Sequence, residues 1–174
     1  NLGTMYANGE VVPQDYAEAV KWFRLATEQG DASAQRSLGF MFWKGLGVPH
    51  DHEEAAKWYR LAADQGDAIS QSLLGYFYET GFGVQQDYGE ATRLYHLAAE
   101  QGEADAQNAL GAMYVEGRGV WKSLVRACMW WSVAAVNGHH VSATNLVKLA
   151  KRMTPADISE AQHRAIEWRE EHRE

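Results

Sequence analysis

Apolar residues along the chain follow two alternating helical patterns. In residues 34–42 they lie at i, i+4, i+7 and i+8, which is the stripe of an amphipathic helix that we term helix A. After a turn with two glycines, residues 55–62 place them at i, i+3, i+4 and i+7, which predicts a second amphipathic helix, helix B. This pattern indicates a chain built from pairs of helices.

The helix pair recurs every 36 residues. The dipeptide Leu-Gly marks helix A four times, and columns of glycine, valine and alanine keep the same step. A fixed period of this length is typical of stacked helix-turn-helix repeats, so we predict an all-α α-solenoid with no strand. Helix A is expected near residues 32–44, 68–80 and 104–116, and helix B near 15–29, 51–65, 87–101 and 123–137.

Polar residues and glycines recur at fixed positions at the ends of the helices and inside helix A. An aspartate followed three residues later by glutamate begins three of the B helices and predicts capping boxes at Asp15, Asp51 and Asp87. A glycine follows each B helix, where a left-handed residue commonly ends a helix. Glycines inside helix A cost about 0.5 to 1 kcal/mol relative to alanine, so their recurrence predicts close backbone contact with a neighbouring helix. These internal glycines are Gly39, Gly75 and Gly111.

The two ends depart from the period. Residues 1–138 form the repeats, the first of them incomplete, and residues 139–174 form a degenerate last repeat and a C-terminal capping helix near 155–170. Because the chain begins in the middle of a helix A, we expect the natural protein to continue upstream. The capping helix carries one apolar stripe on an otherwise charged surface.

Composition narrows the classes of partner. The chain is 46% hydrophobic with a net charge of −7, so it can bury a core but offers no basic stripe for nucleic acid. Its apolar stretches are shorter than the roughly 20 residues of a membrane span, so we expect no membrane insertion. The single cysteine excludes an internal disulfide framework and a four-cysteine zinc site.

The pattern A-x-x-x-L-G-x-x-Y-x-x-G-x-G-V-x-x-D-x-x-x-A-x-x-W-x-x-x-A-A-x-x-G, read from Ala34 to Gly66 with Phe42 in the tyrosine slot, resembles the Sel-one-like repeat family. This family is related to the tetratricopeptide repeats. The resemblance implies a right-handed superhelix that acts as an adaptor or binding scaffold, often in bacterial envelope, secretion or host-interaction systems. It favours a periplasmic or secreted location over a cytoplasmic one. The fourth loop departs from the family, since Ser123 replaces the aspartate beside Trp121.

Residues with catalytic or metal-binding chemistry are few. His50 and His52, like His139 and His140, could lend two imidazoles to a metal, but both pairs lie at junctions of loop and helix where polar residues are solvated. Cys128 lies among bulky neighbours in a B helix, which predicts a buried and inert thiol. We therefore expect no cofactor, no metal site and no enzyme activity.

Three functions are compatible with this pattern. The first is a non-catalytic scaffold that binds a protein or peptide partner on its concave face, where solenoids of this kind expose helix A. The second is a hydrolase of the cell-wall or β-lactam type, and the third is a structural spacer. The sequence leaves the partner and the oligomeric state open.

Tryptophan positions separate core residues from candidates for function. Trp22, Trp58 and Trp130 occupy one column of helix B and are predicted to be core. Trp43 and Trp121 fit no core column.

Alignment with tetratricopeptide repeats places one set of helix A residues on the concave face. Phe40 and Tyr76 share a column in which other repeats carry Thr4 and Ala112, so folding does not require a ring there. Exposed rings beside charged residues would suit an apolar anchor of a partner helix or extended peptide. The structural alternative is that these rings only cover one another. The predicted partner-binding residues are Arg36, Phe40, Trp43, Lys44, Ser72, Tyr76 and Glu79.

Overall fold

A computed structural model describes residues 2–172, and over this range the chain forms ten α-helices and no strand. The A helices occupy the predicted ranges, and the B helices begin and end within one or two residues of theirs. Both sets recur with a step of 36 residues, which confirms the period. The helices are α1 (Leu2–Asn8), α2 (Tyr16–Thr27), α3 (Ala32–Lys44), α4 (His52–Asp64), α5 (Ala68–Thr80), α6 (Tyr88–Glu100), α7 (Ala104–Glu116), α8 (Leu124–Val136), α9 (His140–Ala150) and α10 (Pro155–Glu171).

Three of the B helices begin with aspartate caps, whereas α8 begins with Ser123. The carboxylates of Asp15, Asp51 and Asp87 each accept two backbone N–H groups of the first turn. The backbone N–H groups of Asp15 and Asp51 instead donate to the carbonyls of Tyr6 and Phe42 in the preceding A helices, at 2.9 and 3.0 Å. The following glutamates pair with a Lys or Arg one turn later. The reciprocal half of the capping box was therefore a wrong prediction at Asp15 and Asp51.

The glycines inside helix A make room for an aromatic ring. A Cβ on Gly39 would lie 2.7 Å from ring carbons of Tyr59, and a Cβ on Gly111 would overlap the indole of Trp131. The contact joins the backbone of helix A to a side chain of helix B in the same repeat. This confirms the predicted close contact of the helix A backbone with a neighbouring helix and shows that the contact is made to a ring.

A column of buried glutamines, which the sequence analysis missed, links successive repeats. The side-chain N–H of Gln71 donates to the carbonyl of Ala63 at 3.2 Å, and that of Gln107 donates to the carbonyl of Ala99 at 3.1 Å. Gln107 also accepts a hydrogen bond from Asn137 at 3.0 Å. Because buried amides are costly to leave unpaired, these bonds tie each A helix to the end of the B helix before it.

The tryptophan column of helix B is less buried than predicted. Trp22 is 37% exposed, which corrects its placement in the core, and Trp58 is only partly buried. Trp130 is buried because Trp168 of α10 packs on it edge to face, with ring centroids 5.6 Å apart. The residue after each tryptophan faces helix A and is buried in every repeat. The column thus lies at the edge of the apolar stripe and depends on a neighbour for cover.

The chain separates into two compact units, Asn1–Gln86 and Asp87–Glu174. In the first, the core between α2 and α3 is built from Ala19, Val20, Phe23, Leu38 and Met41. In the second, α10 packs on α8, and its small residues Ala161 and Ala165 are buried. None of the helices in residues 2–172 has the length and apolar character that a membrane span requires.

Candidate functional site

The A helices of three repeats line a groove in the first unit. Its volume is about 670 Å³, and α1, α3 and α5 all contribute side chains. Phe23 and Met41 are buried in its floor, whereas Phe40 and Ile69 are exposed on its rim. A groove of this size with mostly apolar walls is typical of binding sites in proteins.

Four rings form a continuous aromatic row that begins at this rim. Phe40 contacts Trp43 with centroids 6.3 Å apart, Trp43 contacts Tyr76 at 6.2 Å, and Tyr76 contacts Phe82 at 5.9 Å. Below the row, the buried ring of Phe77 contacts Trp43 at 5.7 Å. Phe40 and Tyr76 keep 42% and 38% of their surface exposed, so mutual contact does not bury them.

The two predicted basic residues, Lys44 and Arg36, contact different partners. The Lys44 ammonium lies 3.8 Å from the centroid of the Trp43 ring, which places an exposed cation on the aromatic row. The Arg36 guanidinium forms an ion pair with Asp67, the N-cap of α5, and donates to Ser33 at 3.2 Å. Arg36 therefore joins α3 to the start of α5 and also forms part of the groove wall.

The remaining predicted residues contribute less surface. Ser72 is only 8% exposed, so the expectation that its side chain lies on an open face is corrected. The physical reason is side-chain length, because Arg36 in the same column reaches outward to Asp67 whereas the short serine stays below its neighbours. Glu79 is partly buried, and its carbonyl accepts a hydrogen bond from Gln86 at 2.7 Å.

Sequence reasoning missed Phe82 as a member of the aromatic row. Phe82 lies between two glycines of the turn after α5, at a position that carries Leu46 and Arg118 in neighbouring repeats. The variable residue between paired glycines was a usable signal, but we interpreted these segments only as turns. The ring of His52 stacks on Phe82 with centroids 4.7 Å apart.

The histidine pairs have structural partners. His50 packs against His52 with ring centroids 4.4 Å apart, and His52 lies on Phe82. His139 is the N-cap of α9, where its Nδ1 accepts the backbone N–H of Ser142 at 3.2 Å. Within residues 2–172, no three His, Cys, Asp or Glu side chains are grouped as a metal site would require.

Asp105, His139 and Ser142 lie in the order of a nucleophilic triad, which bears on the hydrolase alternative. The Ser142 hydroxyl is 2.9 Å from His139 Nδ1, and His139 Nε2 is 3.3 Å from Asp105. However, Ser142 is fully buried, its hydroxyl donates to Asn108 at 2.9 Å, and the Asp105 carboxylate is exposed. A catalytic serine needs access to substrate and a histidine oriented by a buried acid. These residues act as the cap of α9.

Burial shifts the pKa of a cysteine and of a tyrosine in the core. Cys128 is buried as predicted, and burial raises the pKa of its thiol, which disfavours the reactive thiolate. Burial also raises the pKa of the Tyr59 phenol, and the positive charge of Arg36 opposes that shift. Both groups therefore remain protonated and belong to the core.

The comparisons with known proteins agree with this architecture. The model of the Sel1 repeat family matches residues 1–31, 32–67, 68–103 and 104–139. The solved structure of c5321, described as a protective antigen of uropathogenic Escherichia coli with an SLR fold, is 38% identical with a TM-score of 0.85. The match covers 95% of this chain but 37% of c5321, so this chain spans little more than a third of that protein.

A second solved structure gives the same result. A Sel1 repeat protein from Oxalobacter formigenes is 34% identical with a TM-score of 0.82, over 98% of this chain and 70% of that one. No curated protein matches the sequence. Since the family model covers more than half of the chain and both structures share its repeats, the chain belongs to the Sel1 repeat family.

Proposed function

We propose that this chain is a non-catalytic scaffold that binds a protein or peptide partner in the groove and along the aromatic row. Sel1 repeat proteins generally act as protein-interaction scaffolds. The observation that carries the proposal is that Phe40 and Tyr76 stay about two-fifths exposed although they contact neighbouring rings. Exposed apolar clusters of this kind mark interaction sites in soluble proteins.

The chemistry of this surface suits an apolar side chain of the partner. Phe40 belongs to both the groove and the row, so a single segment can lie across the two. Aromatic anchors supply most of the binding energy in small interfaces, at about 2 kcal/mol or more each. Lys44 on Trp43 provides a cation that can orient an acidic group of the same segment.

Internal comparison favours binding over a spacer role. Repeats with Thr4 or Ala112 in the column of Phe40 and Tyr76 fold into the same helix. Folding therefore does not explain the two rings. The hydrolase alternative gains no support from Ser142, its best candidate nucleophile, because this serine is buried.

The test uses substitutions taken from the other repeats. Phe40→Thr and Tyr76→Ala introduce the residues that those repeats carry, and Trp43→Ala removes the central ring. Each is compared with wild type in affinity capture from lysate of the source organism, quantified by mass spectrometry. We expect at least roughly tenfold loss of captured partner for each variant. Leu61→Ala, which truncates an exposed leucine of α4, is the control and should leave capture unchanged.

Stability measurements separate loss of binding from loss of fold. Phe77→Ala removes a fully buried ring and should cost about 3 to 5 kcal/mol of unfolding free energy. The three site variants should destabilise the chain far less. Capture that is independent of all three rings would contradict the proposed site and favour the spacer. Unfolding by Trp43→Ala as severe as that by Phe77→Ala would show that the row is core.

A further inference from the structure

The fourth repeat exposes a tryptophan that the proposed groove does not use. Trp121 is 95% exposed in the turn between α7 and α8, in the second unit. The same column holds Pro13, Pro49 and Gln85 in the other repeats, which form the same turn without a ring. Folding therefore does not require the indole, and its exposure costs free energy that burial against a partner would recover.

Charge around this turn is reversed relative to the other repeats. Residues 116–126, which we term the Trp121 loop, contain three basic residues and one acidic residue. The equivalent residues 8–18 contain three acidic and no basic residues, 44–54 contain three acidic and one basic, and 80–90 contain two acidic and no basic. The segment that carries the exposed ring therefore has an excess of two positive charges, in a chain whose net charge is −7.

The backbone of the Trp121 loop is fixed. The N–H of Gly117 donates to the carbonyl of Met113 at 2.8 Å, and the N–H of Ser123 donates to the carbonyl of Tyr114 at 2.9 Å. Gly119 lies so close to the carbonyl of Tyr88 that no side chain would fit. A rigid loop presents its side chains with little loss of entropy on binding, which favours affinity.

Two exposed cations lie within five residues of Trp121 along the chain. Lys122 follows Trp121 directly and is exposed, and Arg126 is exposed with one nitrogen donating to the hydroxyl of Tyr114 at 3.3 Å. The third, Arg118, forms an ion pair with Glu116 at 2.6 Å. The loop thus combines one large apolar side chain with unneutralised positive charge.

We propose that the Trp121 loop is a docking site for an acidic segment of a protein partner that carries an apolar side chain. Tryptophan and arginine are the residues most often found as anchors in protein interfaces, and the excess positive charge of the loop complements acidic groups. An anionic bilayer is a surface much wider than the loop, so it would also approach acidic residues elsewhere on a chain whose net charge is −7. This repulsion disfavours a bilayer as the partner. A short segment meets only charges within the Debye length, about 8 Å at physiological salt.

The experiment uses a random peptide library displayed on phage and selected on the full chain. Selection runs in parallel on Trp121→Gln, which introduces the residue of the third repeat. We expect wild type to enrich peptides with several acidic residues beside an aromatic residue or leucine. As synthetic fluorescent peptides, these should bind Trp121→Gln at least about tenfold more weakly. Their binding to Lys122→Gln should be weaker too, and wild-type binding should fall as salt is raised.

Controls and competing partners decide the remaining outcomes. Lys151→Gln removes an exposed cation outside the Trp121 loop, and Phe40→Thr alters the groove and the aromatic row of the first unit. Both variants should therefore bind peptides selected by the Trp121 loop as wild type does. Trp121→Gln should unfold at the wild-type temperature because the ring is exposed. The proposal is overturned if no acidic peptides are enriched or if they bind Trp121→Gln equally well. It is also overturned if the ring is instead needed to sediment the chain with vesicles containing phosphatidylserine, or to bind single-stranded RNA.

Discussion

Replacing Gly39 with alanine tests the contact between the backbone of helix A and the ring of helix B. In an ordinary helix interior this change stabilises by about 0.5 to 1 kcal/mol. Here the new Cβ would lie 2.7 Å from the ring of Tyr59, which is fully buried and has no space to move aside. Overpacking of a core costs about 1 to 3 kcal/mol, so we expect a net loss on the order of 1 to 2 kcal/mol.

Guanidinium unfolding followed by far-ultraviolet circular dichroism measures this loss, with Gly89→Ala as the matched control. Gly89 lies in the first turn of α6, where a Cβ would approach only a carboxylate oxygen of Asp87, at 3.2 Å. Ala17 occupies the same column in the first repeat, so the control should be neutral or slightly stabilised. Gly39→Ala should cost less free energy in a Tyr59→Leu background than in wild type, because the ring that the new Cβ meets is absent. If Gly39→Ala raises the unfolding midpoint as the control does, the ring contact does not explain the glycine column.

Three further predictions concern polar or titratable side chains that are buried or partly buried. Gln107→Ala removes a fully buried side chain together with its hydrogen bonds to the Ala99 carbonyl and from the Asn137 amide, and should lower the unfolding free energy by about 1 to 3 kcal/mol in urea titrations; an unchanged midpoint would refute this. Burial lowers the pKa of His96 below its ordinary 6.5, so the unfolded chain binds the proton more readily and stability should fall as pH drops through 6.5 towards the folded pKa. His96→Gln should therefore reduce this acid sensitivity, and unfolding curves with the same pH dependence as wild type would contradict it. The buried thiol of Cys128 should react slowly with a thiol-specific dye in the native chain and rapidly in concentrated guanidinium, whereas equal rates would place it at the surface.

The helices could be predicted because the period supplies four independent copies of one pattern. A stripe in one repeat is ambiguous, but the same stripe at a fixed step fixes the start and end of each helix. The apolar stripe of a helix does not show which of its two edges is covered by a neighbouring helix. Trp22 and Trp130 share a column, yet only Trp130 is buried, because Trp168 of the irregular C-terminal helix lies on it. That contact has no counterpart in the period.

The candidate site was predictable to the level of which helix face it uses. Alignment with related repeats placed Phe40, Trp43 and Tyr76 on one face, and in the structure the Trp43 ring contacts the other two rings. It could not predict that Arg36 is engaged by Asp67 or that Ser72 is buried. The ion pair of Arg36 and the burial of Ser72 depend on side-chain length and on contacts between repeats. An alignment of repeat positions contains neither kind of information.

Repetition within one chain allows structural and functional side chains to be separated without an alignment of homologues. A residue that recurs in every copy, such as the glutamine of Gln71 and Gln107, has a role that each repeat needs in order to fold or to stack. An exposed ring that occurs in only one or two copies has no such role, since the other copies fold without it. Phe40 and Trp121 both meet this criterion on different surfaces. Because each ring lies in its own unit, each can be substituted and tested for binding independently of the other.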